Sequence, residues 1–160
     1  MGKIYYVMGK SASGKDTIYK RLVKKMPELG TVRMYTTRPI RDGETNGVEY
    51  IFTDEKQLQA MKDAGKVIEC RTYDTIYGPW SYFTADDGQI DLGSCSYLMM
   101  GTLESYEGLC KYYGAEVMVP LYIHVEDGVR LQRALNRENT QKNPKYAEMC
   151  RRFLADEKDF

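Results

Sequence analysis

The chain has 160 residues, with 23 Lys plus Arg against 23 Asp plus Glu and a formal net charge of zero. That balance argues against a nucleic-acid binder, which carries a basic excess, and against a cationic membrane-surface helix. Hydrophobic residues at 42% and 14 tyrosines give the composition of an ordered globular protein, one domain with room for a small insertion. No apolar run nears the ~18 residues needed to cross a bilayer. The glycine loop follows Met1 too closely for a secretory leader. Cys70, Cys95, Cys110 and Cys150 are scattered without a CxxC pair, and the single His124 cannot complete a zinc site with them. The expectation is a cytoplasmic protein with unpaired, buried thiols and a structural His124.

Lys3–Met8 is a short apolar run ending in glycine, the pattern of a buried strand. From Lys15 the period becomes helical, with Ile18, Leu22, Val23 and Met26 on one face until Pro27–Gly30 stops it. Thr31–Tyr35 is predicted as a second strand, and the polar, punctuated stretch that follows as a loop. Tyr50–Phe52 is extended, and Asp54–Ala64 is a helix with Leu58 and Met61 inward. Lys66–Tyr73, Trp80–Thr84 and Ser96–Met100 are further strands. Thr102 caps a helix over Leu103–Tyr113 whose Leu103, Tyr106, Cys110 and Tyr113 recur at spacings of three and four. Val117–Val125 is an apolar strand that Pro120 confines to an edge or a strand start. Asp127–Glu138 is an arginine-rich helix. Pro144 is expected to open a last helix with Tyr146, Met149, Cys150, Phe153 and Leu154 inward. Strands alternating with helices predict an α/β fold with a parallel sheet. Residues 34–90 break the rhythm and are expected to form a mostly β insertion at one edge of that sheet.

Between the first strand and first helix lies Gly9-Lys10-Ser11-Ala12-Ser13-Gly14-Lys15-Asp16-Thr17. This is the context the G-x-x-x-x-G-K-[ST] pattern requires. Backbone N–H groups there can turn around phosphate oxygens, helped by the positive end of the helix, and Lys15 adds a point charge. Gly9, Ser11, Ala12, Ser13, Gly14, Lys15, Asp16 and Thr17 are therefore candidate ligands of nucleotide phosphates. The hydroxyl expected after the lysine is displaced to Thr17 by Asp16, and one of these two is the candidate Mg²⁺ ligand. A second anion site is read in Thr36-Thr37-Arg38-Pro39-Ile40-Arg41-Asp42-Gly43-Glu44. There two arginines three apart in a Pro-containing loop can converge on one phosphate. Taken alone, that pair would by default be read as a solvated basic turn.

The stretch from Thr36 through Tyr50, read as TTR-x-x-R-x-G-E-x-x-G-x-x-Y, resembles the guanylate kinase family of P-loop nucleoside monophosphate kinases. Val67-Ile68-Glu69, Tyr77-Gly78, Arg133, Arg137 and Arg152 match the family's downstream pattern in order. The resemblance implies a P-loop parallel sheet flanked by helices, with a small mostly β acceptor-binding insertion and an arginine-bearing lid. Residues 1–33 and 95–126 would form the core, 34–90 the acceptor-binding insertion and 127–152 the lid. It further implies ATP with Mg²⁺ and transfer of a phosphoryl group to GMP. Arg38, Arg41, Tyr50 and Tyr77 would hold the acceptor phosphate and Glu69 the guanine, while Lys15, Arg137 and Arg152 serve the transfer and Arg133 the ATP phosphates. Where the family has an aspartate-rich strand end, this chain has Leu98-Met99-Met100-Gly101-Thr102, leaving Thr102 as the candidate contact there. Met34 and Pro79-Trp80 stand where the family has hydroxyls near the base. The family's closing strand and helix are expected to be missing or truncated beyond Phe160. Two other readings stay open: a kinase for another phosphorylated small molecule such as a ribose phosphate, and a phosphopeptide-binding module that lacks catalysis. No nucleic acid or membrane partner is implied.

Overall fold

A computed structural model describes residues 1–160. In chain order the elements are β1 (Ile4–Met8), α1 (Lys15–Lys25), β2 (Gly30–Thr31), β3 (Tyr35–Thr36), β4 (Ile51–Phe52), α2 (Glu55–Asp63), β5 (Val67–Thr75), β6 (Gly78–Ala85), β7 (Tyr97–Met100), α3 (Leu103–Tyr113), β8 (Met118–Tyr122), α4 (Asp127–Asn139) and α5 (Tyr146–Asp159). They build two sheets, a parallel one in the order β2-β7-β1-β8 and a mixed one in the order β4-β3-β6-β5.

β1 sits inside the parallel sheet and is apolar along its length because both faces are covered. Ile4, Tyr6, Val7 and Met8 are all buried. Its side chains join Tyr97, Met99, Leu109, Val117 and Met118 in the main core. Leu103, Tyr106, Cys110 and Tyr113 of α3 pack on that core as their spacing predicts. Pro120 is accommodated because β8 is an edge strand. A second, smaller core of Leu58, Phe83 and Ala85 lies under α2, whose N-cap Asp54 accepts a hydrogen bond from the Gln57 amide. α3 packs against both β8 and β5, so it bridges the two sheets.

Four sequence-based expectations need correction. Thr31–Tyr35 is two strands, not one: β2 pairs with β7 in the parallel sheet, while β3 crosses to pair with β4 and β6. The β insertion does not extend an edge of the parallel sheet but closes into a sheet of its own. α5 starts at Tyr146 with Lys145 as its cap, so Pro144 lies before the helix, and its inward residues are Met149 and Phe153. Tyr146, Cys150 and Leu154 face outward. None of the four unpaired cysteines is fully buried, and His124 is exposed. No helix is long and apolar enough to cross a membrane.

Candidate active site

The phosphate loop hangs from the C-terminal end of β1. Gly9 is required by close approach, since a Cβ there would lie 2.8 Å from the Ile123 carbonyl oxygen and 2.9 Å from Ser13 Oγ. Ala12 adopts φ 59° and Gly14 φ 85°. An alanine in the left-handed region costs roughly 1–2 kcal/mol, and alternation of hands along a short loop is how successive N–H groups come to face one anion. Ser13 is buried, and its Oγ has no hydrogen-bond partner within the protein. Lys15 Nζ lies 3.5 Å from Asp16 Oδ1.

Arg133, Arg137 and Arg152, from α4 and α5, border a hollow of about 610 Å³ together with residues 11–18 of the loop. Arg133 Nη1 lies 3.5 Å from the Ala12 carbonyl oxygen. Arg152 Nε donates to Glu148 Oε1 at 3.1 Å, and Arg151 forks onto the same carboxylate. These arginines, Arg151 foremost, hold the Glu148 carboxyl at about 2.

A larger cleft of about 850 Å³ runs from the phosphate loop across to the second sheet. Gly9, Ser11, Lys15, Asp16, Arg41, Tyr50 and Thr102 line it, as do Arg71, Tyr73, Trp80 and Tyr82. Lys15 and Arg41 thus border one continuous space. Burial is the main cause that pushes the Tyr50 hydroxyl above its ordinary value.

The remaining candidates are placed differently from what their sequence positions implied. Arg38 is only 4% exposed and is committed to Glu44, with a two-pronged ion pair at 2.8 and 2.6 Å and stacking on Tyr50 and Phe52. It shapes the loop that carries Arg41 and does not itself line the cleft. That pairing, followed by the Arg41 amide, holds the Glu44 carboxyl down at about 2. Tyr77 is exposed at the β5–β6 turn and stacked on Trp80. Both oxygens of the buried Glu69 are engaged, one by Arg71 Nε at 3.1 Å and one by Thr84 Oγ1 at 2.7 Å. Glu69 borders a separate hollow between β5 and α3. Thr102 Oγ1 accepts from the Ser105 amide as the α3 cap and from Arg71 Nη1.

Sequence reading missed Arg71, Arg130 and Asp156. Arg130 is 1% exposed and reaches the Ser11 carbonyl oxygen, Asp127, Asp156 and Glu157 while stacking on Phe153. Asp156 in turn accepts from the Ser11 amide at 2.8 Å. The signal available for Arg130 was the Asp127–Arg130 spacing of three on one helix face. For Arg71 it was the Glu69-x-Arg71 alternation, which sets opposite charges on one face of a strand.

Comparison with known proteins finds likeness to one family. The guanylate kinase family model matches residues 1–81. The chain is 37% identical over 78 residues to guanylate kinase of Legionella pneumophila strain Lens, covering 48% of this chain and 37% of the relative. It is 37% identical over 76 residues to guanylate kinase of Coxiella burnetii, covering 47% and 37%. The chain therefore matches well under two thirds of the length of these relatives. Among solved structures it is similar to guanylate kinase from Anaplasma phagocytophilum, with a TM-score of 0.56 at 18% identity over 76% of this chain and 58% of that one. At that identity the likeness concerns the fold.

Proposed function

The chain belongs to the guanylate kinase family, and from that premise we propose that it transfers the γ-phosphoryl group of ATP to a nucleoside monophosphate, GMP + ATP giving GDP + ADP. The observation that carries the reading is the shared cleft, in which Lys15 of the phosphate loop and Arg41 of the acceptor loop border one space. A phosphoryl donor and its acceptor must meet in such a space. An intact Lys15 and a loop that holds Ala12 in the left-handed region favour a kinase over a module that only binds phosphopeptides.

In this reading the loop amides and Lys15 cradle the β- and γ-phosphates. Arg41 and Tyr50 hold the acceptor phosphate, with Arg38 acting through Glu44 to fix the loop. The transferring group carries charge on its equatorial oxygens, so catalysis is mainly positioning and neutralisation. Arg133, Arg137 and Arg152 supply that neutralisation from the helical side. Mg²⁺ fits the donor set: the oxygen-bearing Asp16 and Thr17 border the phosphate-loop hollow, and Mg²⁺ is commonly held by one or two protein oxygens with phosphates and water. The Asp16 carboxylate or Thr17 hydroxyl would hold the ion, which supplies further charge neutralisation.

The test is coupled ADP release across GMP, AMP, CMP, UMP and ribose phosphates, with Lys15→Ala and Arg41→Ala beside the parent protein. GMP is expected to be the preferred acceptor. Lys15→Ala should abolish turnover with an unchanged melting temperature, and Arg41→Ala should weaken GMP by roughly 1.5–3 kcal/mol without altering ATP affinity. Turnover of a ribose phosphate in preference to GMP, or full activity in Lys15→Ala, would overturn the proposal.

A further inference from the structure

Arg71 is the one charged side chain of the cleft lining that is more than nine-tenths buried, at 6% exposure. A guanidinium carries five N–H donors. Here Nε meets Glu69 Oε2 at 3.1 Å, one Nη1 proton meets Thr102 Oγ1 at 3.1 Å, and one Nη2 proton meets only the Met34 sulfur at 3.7 Å. A thioether is a weak acceptor, and beyond Tyr73, whose hydroxyl also bonds to the guanidinium, one proton has no partner within the protein. A buried polar group left short of partners is costly, so spare donors bordering a cleft point to a ligand that brings acceptors.

The surroundings fix this group in place. Glu69, held by Thr84, grips one side of the guanidinium, and Thr102, held by the first turn of α3, grips another. Register on the hairpin sets Arg71 opposite Tyr82 and Tyr73 opposite Trp80. Arg71, Tyr73, Tyr82 and Trp80 all border the cleft, so a rigid donor fork stands among aromatic rings. Aromatic rings suit the faces of a nucleobase. A planar fork suits two adjacent acceptors on its edge, and O6 with N7 of guanine is such a pair. Adenine offers N7 beside an amino donor, which opposes one arm of the fork.

We propose that Arg71 is the specificity-determining residue for the acceptor base, its guanidinium donating to O6 and N7 of guanine, with Glu69 a positioning residue that acts through it. The proposal rests on the GMP reading above and assigns the base contact to a donor on β5, where the resemblance implied the Glu69 carboxylate.

The experiment pairs changes in the ligand with changes in the protein. Binding of GMP, 7-deaza-GMP and 6-thio-GMP, which keeps N1–H but replaces O6 with a weakly accepting sulfur, is measured by calorimetry with the parent protein, Arg71→Gln and Glu69→Gln. With the parent, each analogue should bind about tenfold more weakly than GMP, the effect of one hydrogen bond to a charged group. In Arg71→Gln the difference between GMP and the analogues should shrink to within about threefold, because the contact being probed is gone. Glu69→Gln should weaken GMP while retaining part of the discrimination. Equal binding of all three ligands by the parent protein would overturn the Arg71 assignment and leave the GMP reading standing. Failure of GMP to bind or react at all would overturn both. If Arg71→Gln does not fold, the analogue series on the parent protein still decides the assignment.

Discussion

Arg130→Ala should be among the most destabilising single substitutions in the chain, although it lies on a helix full of solvated arginines. Its guanidinium is 1% exposed and ties α4 to the Ser11 carbonyl oxygen at 3.1 Å and to Asp156 at 3.4 Å. Its bonds to Asp127 and Glu157 involve carboxylates that are 59% and 46% exposed, and these can return to water. Asp156 cannot do so as easily, being 13% exposed. Removing one partner of a buried pair costs ~3–5 kcal/mol. Because two of the three carboxylates are re-solvated, the low end applies, about 3 kcal/mol, part of it from the lost stacking on Phe153. For a domain of this size that is a fall in melting temperature of roughly 6–12 °C. Thermal unfolding followed by circular dichroism measures it. Arg130→Ala combined with Asp156→Asn should fall short of the sum of the singles, since both remove the same contact. A shift under about 2 °C, or full additivity, would refute the buried-hub reasoning.

Gly108→Ala sets two effects against each other. Alanine gains roughly 1 kcal/mol of helix propensity, but its Cβ would lie 2.6 Å from the Glu69 Cβ, an atom close to the backbone that cannot swing away. Overpacking at ~1–3 kcal/mol wins, so urea unfolding should show a net loss of stability; a gain would show that α3 shifts freely. Glu44 gives a pH signature. Its carboxyl is held at about 2 against an ordinary 4.5, so its contribution is complete above the ordinary value and is lost as pH falls toward 2. Melting temperatures measured from pH 6 to 2 should fall more steeply for the parent than for Glu44→Gln, and parallel curves would mean that the Arg38 pair adds nothing.

How legible the molecule is from its sequence depends on the range of the interaction concerned. β1, the phosphate loop and α1 follow from local pattern, and the α3 face follows from its period. Thr31–Tyr35 does not divide in the sequence, because both halves are extended and only distant partners decide which sheet each joins. α5 carries two apolar rows, Met149 with Phe153 and Tyr146 with Cys150 and Leu154. The choice between them is made by Asp156, one turn on, which the Ser11 amide draws inward. Arg71 and Arg130 escape notice for a different reason. Charged residues are exposed by default, and nothing local announces that several partners from remote segments will gather round one guanidinium. The same applies to Arg38, whose engagement by Glu44 needs the loop to have closed.

The position of β1 within the parallel sheet sets an order in time. Ile4 is registered against Tyr97 on one side and Met118 on the other, so no rung of that ladder can form until most of the chain exists. The other sheet is closed by strands lying between Tyr35 and Ala85, and the β5–β6 hairpin within it is entirely local. Contacts close in sequence form first because they lose less chain entropy on closing. During synthesis the mixed sheet can therefore be assembled while the apolar β1 still waits for its neighbours. The phosphate loop takes its shape only when β1 is docked and α5 has delivered Asp156 to the Ser11 amide. On the proposed reading, nucleotide binding is thus acquired late, and a nascent or nicked chain that lacks α5 would keep a folded mixed sheet beside an unformed phosphate loop.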